Sequence, residues 1–137
     1  MKTTTPSLLL TSGLTELAAG ALTGWVYTFA RTQPERAKAA GIESTARIRQ
    51  WHLDLAMLGT ATVACATAVP DAPRPVAAAL GAGAWTNAML FLPLAFKPDV
   101  DQTRTFQSAA AASFVATSVG FTGMAATAWA RRRSRAG

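Results

Sequence analysis

Pro75-Val-Ala-Ala-Ala-Leu-Gly-Ala-Gly-Ala-Trp85-Thr-Asn87-Ala-Met-Leu-Phe-Leu-Pro93-Leu-Ala-Phe96 contains no charged side chain. A second uncharged run, Thr105 to Ala130, follows it. Each is about the 20 residues that an α-helix needs to cross a hydrocarbon core. Two quieter stretches precede them. Ser7 to Ala30 carries Glu16 alone, and Gln50 to Pro70 carries Asp54 beside the single histidine, His52. Only 15% of the 137 residues are charged, against roughly 25% in a soluble domain. An ordinary soluble fold and intrinsic disorder are both excluded by that distribution. The expectation is an all-α, integral-membrane antiparallel four-helix bundle. It is a single domain over 1–137, with spans at about 7–30, 50–70, 75–96 and 106–130.

The mean hydropathy is only +0.22, because the spans use Ala, Thr and Gly in place of Leu and Ile. Small residues are what membrane helices place at their contacts, where close backbone approach replaces hydrophobic drive. A soluble alanine-rich bundle would need a polar stripe on every helix, and the last two spans have none.

The connections follow from prolines and charge. Pro6 marks the first helix start. Arg31 to Arg49 reads as a charged loop, and the second helix starts at about Thr45 or Arg49. Pro70-Asp-Ala-Pro-Arg-Pro75 is too proline-rich for a helix and makes a tight hairpin. Pro93 is a kink, and Lys97-Pro98-Asp99 is the exit from the third helix. Trp25, Tyr27, Trp51 and Trp129 stand where interfacial aromatic belts occur. Lys2, Arg74 and the tail Arg131-Arg-Arg-Ser-Arg135 nearly balance the bases on the opposite side. The density of the tail favours cytoplasmic termini. Arginines abutting a membrane helix touch anionic lipid headgroups, which is preferred to a nucleic-acid partner despite a net charge of +6.

Polar groups inside spans ask for a reason. Glu16, with Gly20 and Gly24 at i+4 and i+8, is either a proton-handling or substrate-contacting acid or, the plainer reading, a protonated or hydrogen-bonded glutamate that locks helix packing. Asp54, about 200° from His52 around a helix, suits a helix N-terminus. His52 is a candidate metal ligand. One imidazole cannot make a zinc site but can hold a porphyrin iron; an interfacial histidine without a ligand is the plainer reading. Asn87 lies deep in the third span, and its amide needs partners. His52 and Asn87 are placed to line one cavity open toward the first loop, with Arg47 and Arg49 at its rim. Cys65 is alone and fills space.

Two segments carry a resemblance. Arg47-Ile-Arg-Gln-Trp-His52-Leu-Asp-Leu-Ala-Met-Leu-Gly59 is similar to the histidine segment of the four-span bacterial membrane isomerases that include styrene oxide isomerase and hydroxylaminobenzene mutase. Gly83-Ala-Trp85-Thr86-Asn87 is similar to the Gly-Trp-Ser-Asn of that family's third helix. The resemblance implies a multi-pass protein of a bacterial inner membrane, a homotrimer holding haem b at its subunit interface. It implies ferric iron acting as a Lewis acid on a small apolar substrate, turning an aryl epoxide into an aldehyde or rearranging an arylhydroxylamine. His52 would be the axial ligand, and Trp85 and Asn87 would belong to the catalytic pocket. Arg47 and Arg49 are assigned to the haem propionates from charge and position. Leu58 and Phe91 stand where the family has Asn and Tyr, an exchange that suits an apolar substrate held mainly by shape. The competing expectations are a haem-binding sensor or carrier without turnover, and a structural four-helix membrane protein.

Overall fold

The computed structural model describes residues 7–136, and it is helical throughout with no strand among them. Pro6 and Lys2 lie outside the described residues. Helix α1 spans Leu8–Thr32, and the Ser7 hydroxyl caps it by accepting from the Leu10 amide at 3.1 Å. Helix α3, Thr45–Ala68, is capped in the same way by Ser44 and stops at Val69, one residue before Pro70. An N-cap hydroxyl satisfies one of the amides that a first turn leaves without a partner.

Between them the chain departs from the expected loop. Pro34–Ala39 forms a short helix, α2. Proline fits the first helical position, where no amide partner is lost, and Glu35 sits favourably in the first turn. Gly41 then reverses the chain at φ 90°, a conformation that costs glycine little. This hairpin tucks Ala37 and Ile42 against Ala30, Ile48 and Ala95 in a closed apolar cluster.

The third long segment is divided into α4, Arg74–Met89, and α5, Phe91–Phe96. Pro93 explains the break. It cannot donate to the carbonyl of Met89, and its ring clashes with that group. A 3-10 turn, Pro98–Gln102, leads to α6, Arg104–Ala136. The arginine tail, expected to follow the last helix, prolongs it instead. Arginine is a good helix former, and no Gly or Pro intervenes before Gly137. Arg131 pairs with Asp71 in the hairpin turn.

Glycines set the helix pairing. A Cβ at Gly59 would meet the Leu17 backbone nitrogen at 2.5 Å, and one at Gly20 would meet that of Ala56 at 2.6 Å. Gly13 against Val63 and Gly24 against His52 extend the same seam. Rising numbers on α1 meet falling numbers on α3, so the pair is antiparallel. Helices α4 and α6 repeat the arrangement, with Gly83 on Thr117 and Gly120 on Leu80. Thr86 and Ser113 share a hydroxyl hydrogen bond of 2.8 Å across that seam. Trp85 joins the two pairs by donating its indole N–H to Ser12 at 3.0 Å. Two segments are long and apolar enough to cross a membrane, Arg74–Phe96 and Arg104–Ser134. Helices α1 and α3 have the length, 25 and 24 residues, but their Thr, Gly and charged residues leave them less apolar.

Candidate functional site

The imidazole of His52 is held on three sides. Its Nδ1 lies 2.7 Å from the carbonyl oxygen of Gly20. A carbonyl only accepts, so Nδ1 carries the hydrogen and donates it. In the neutral ring this fixes Nε2 as the nitrogen with the free lone pair. Histidines that ligate metals are oriented by the same kind of second hydrogen bond. The ring lies over Gly24, where a Cβ would stand 3.1 Å from Cε1. Tyr27 stacks on it, with centroids 6.2 Å apart and planes at 15°. Neither Gly20 nor Gly24 was legible as part of a histidine site in the sequence, although their i, i+4 spacing marked a close helix contact.

Gly24→Ala is therefore expected to push the imidazole aside and weaken any ligand on Nε2 while leaving the helices in place. The far edge of a side chain can move where a backbone cannot. Titration of the purified variant with imidazole-seeking metal probes such as Ni(II), against the unsubstituted protein, checks this. Equal affinity would show that the ring has no need of the glycine.

The residues singled out with His52 are distributed over the fold. Arg49 is exposed and three residues before His52, a spacing that places both on one helix face. Arg47 points elsewhere: its guanidinium lies 5.9 Å from the centre of the Phe91 ring and bonds Gln50 at 3.2 Å. Trp85 ends on Ser12, eight residues from Gly20 and so about 12 Å away along α1. Asn87 is half-buried and follows Gly83 by four residues, on the side of α4 that meets α6. Asp54 is on a different face of α3 from His52. The single chain thus brings Tyr27, Gly20 and Gly24 to the histidine, keeps Arg49 on the same helix face, and turns Trp85 and Arg47 to other partners.

Large apolar side chains near His52 in the sequence, or next to Gly24, are exposed. Trp25, Leu53 and Met57 are exposed to 77%, 39% and 63%. Among the described residues no three of His, Cys, Asp and Glu gather as for an isolated metal ion; a porphyrin iron asks for one axial donor. Cys65 is a free, half-buried thiol packed beside Val69 and Leu80.

Two grooves of about 720 Å³ each lie elsewhere. One, between α1 and α4, is lined by Leu9, Ser12, Ala66, Val69, Ala77 and Gly81. The other runs between α4 and α6 past Thr86, Leu90, Pro93 and Phe106. The interior holds two polar side chains that the sequence pattern did not pair. Glu16 and Thr62 are both 0% exposed, and neither the Glu16 carboxyl oxygens nor Thr62 Oγ1 has a hydrogen-bond partner. Comparison with family models, with curated proteins and with solved structures found no match to this chain.

Proposed function

We propose that the chain is a four-span membrane protein of the bacterial inner-membrane type that binds haem b through Nε2 of His52 and acts as an isomerase on a small apolar substrate. The observation that carries the reading is the pinned tautomer of His52, with Nδ1–H on the Gly20 carbonyl and Nε2 left with its lone pair. The two apolar segments support the membrane assignment. The resemblance of the His52 and Trp85–Asn87 segments to the membrane isomerases supports the reaction.

The residues fit the group in donor chemistry. Nε2 would hold the iron, and Gly24 and Tyr27 would keep the ring from rotating. Arg49, on the same face, is positioned to meet a carboxylate at the rim; Arg47, turned to Phe91, is the weaker candidate for that role. When bound, haem supplies a Lewis-acidic iron that can polarise a substrate oxygen. Around His52 the chain contributes apolar walls, Trp25, Leu53 and Met57, which exclude water and favour an apolar substrate held by shape. Those walls are exposed in the single chain, where either lipid or another copy can cover them. A homotrimer, as in the resembled family, is the proposed assembly, and Trp85 and Asn87 would act in a pocket completed there.

The experiment is product formation by purified, haem-loaded protein from a panel of aryl epoxides and arylhydroxylamines. Asn87→Ala is expected to keep the haem spectrum and lower turnover by about 10- to 1000-fold, reaching the roughly 100- to 1000-fold cost of a lost donor if Asn87 stabilises developing charge directly. Undiminished turnover would make Asn87 a packing residue. The engagement of Trp85 with Ser12 and not with His52 favours a second reading, haem binding without turnover as in a sensor or carrier. Haem-loaded protein that converts no member of the panel would support it.

A further inference from the structure

The interior pair Glu16 and Thr62 has no role in the haem site. Glu16 sits on the strip of α1 that carries Gly13 and Gly20, where α3 approaches closest. A Cβ on Gly13 would meet Thr62 Cγ2 at 3.0 Å, which places Thr62 over the turn of α1 that precedes Glu16. Both carboxyl oxygens and the Thr62 hydroxyl oxygen are fully buried and unpartnered. A packing glutamate in such a seam would spend its oxygens on neighbouring donors. Unpaired polar atoms gathered in one seam are instead where a bound water or hydronium finds its partners.

No charge is at hand to neutralise a carboxylate. On α3 the ionisable residues are Arg47 and Arg49, thirteen or more residues before Thr62, the first turned to Phe91 and Gln50 and the second exposed, His52, whose N–H ends on the Gly20 carbonyl, Asp54 on another face, and Cys65 beside Leu80. Helix α1 adds only Tyr27, stacked on His52, and Arg31 in its last turn. Helix α4 has no ionisable residue after Arg74, α5 has none, and α6 has none between Thr105 and Ala130. A carboxyl without a cation in an apolar interior is retained in its neutral form. A groove opens one turn away along α1. Ser12, one turn before Glu16, lines the groove between α1 and α4. Its oxygen accepts from Trp85.

We propose that Glu16 and Thr62 form an internal proton-binding site that exchanges with solution through the groove above Ser12. In loading, a hydronium gives its proton to a Glu16 carboxyl oxygen and leaves as water; in unloading, the proton returns to water or hydroxide. Thr62 Oγ1 accepts from the protonated acid through an intervening water. The site depends on the α1–α3 seam and not on haem.

The test is labelling of the full-length, folded protein with N,N′-dicyclohexylcarbodiimide, which attacks protonated carboxyls in apolar surroundings, with the modified residue mapped by mass spectrometry. Glu16 should be the carboxyl modified within the helices, with a yield that falls severalfold as pH is raised and is indifferent to Na⁺. Infrared spectra should show a protonated-carboxyl stretch that shifts within minutes in D2O and is missing in Glu16→Gln. Protection by Na⁺ at constant pH would overturn the proposal in favour of a cation site. A Glu16 that stays unlabelled at every pH, with a carboxyl band that does not shift in D2O, would overturn it in favour of a sealed packing residue. The labelling arm needs no variant and so decides even if Glu16→Gln fails to accumulate.

Discussion

His52→Ala should release most of the haem and abolish turnover while leaving an assembled protein. It is the only imidazole in the chain, so no second histidine can take over the iron. Cys65 lies thirteen residues further along α3, roughly 20 Å. Met57, exposed on the outer face, is at best a weak thioether donor. The ring is half-buried and contributes one hydrogen bond to the α1–α3 contact, about 1 kcal/mol. Folding should therefore survive. Added imidazole should restore part of the spectrum, since Gly24 leaves a ring-sized place against α1. Haem content and spectrum unchanged in His52→Ala would refute the assigned ligand.

A larger structural effect is expected from Gly83→Ala, and its contrast with Gly81→Ala isolates the cause. A methyl on Gly83 would meet the backbone nitrogen, Cα and Oγ1 of Thr117 at 2.5, 2.7 and 2.7 Å. Backbone cannot rotate away, so α4 and α6 must separate, and overpacking of this kind costs about 1–3 kcal/mol. The Thr86–Ser113 hydrogen bond one turn along would be strained with it. Two residues earlier, a methyl on Gly81 would stand 3.4 Å from Leu9 Cδ1 and 4.0 Å from Ser12 Oγ, ordinary contact. Replacing glycine by alanine in a helix interior gains roughly 0.8–1 kcal/mol, so Gly81→Ala should be neutral or stabilising. Thermal unfolding in mild detergent should place Gly83→Ala below the unsubstituted protein and Gly81→Ala at or above it. Equal midpoints for the two would remove the argument that glycines fix the α4–α6 spacing.

The elements that depend on chain-local chemistry were legible in the sequence. Pro93 foretold the division between α4 and α5, Pro70 the end of α3, and Lys97-Pro98-Asp99 the exit turn. Helix α2 was hidden because its signals, Pro34 and Glu35, stand inside a cluster of charges that reads as loop. The continuation of α6 through Arg131–Arg133 was missed because the charge marks an interface whatever its backbone does. The site was legible only in its donor. That His52 lies over Gly24 and bonds Gly20 depends on the rotation and register of α1 against α3, which no spacing within either helix encodes. The separation of Trp85 from His52 has the same origin: Trp85 faces α1 at Ser12, and rotational placement is a property of the pair. Glu16 was conspicuous as a lone charge, but its partner in isolation, Thr62, is one threonine among many until the seam closes.

The central claim is that Nε2 of His52 carries an iron porphyrin, and the visible absorption spectrum of the purified, haem-supplemented protein tests it most directly. The account predicts a sharp Soret band with a bound haem that resists gel filtration, and its loss in His52→Ala. A protein that returns from the column without Soret absorbance, after haem was offered to the folded, detergent-solubilised chain, would contradict it.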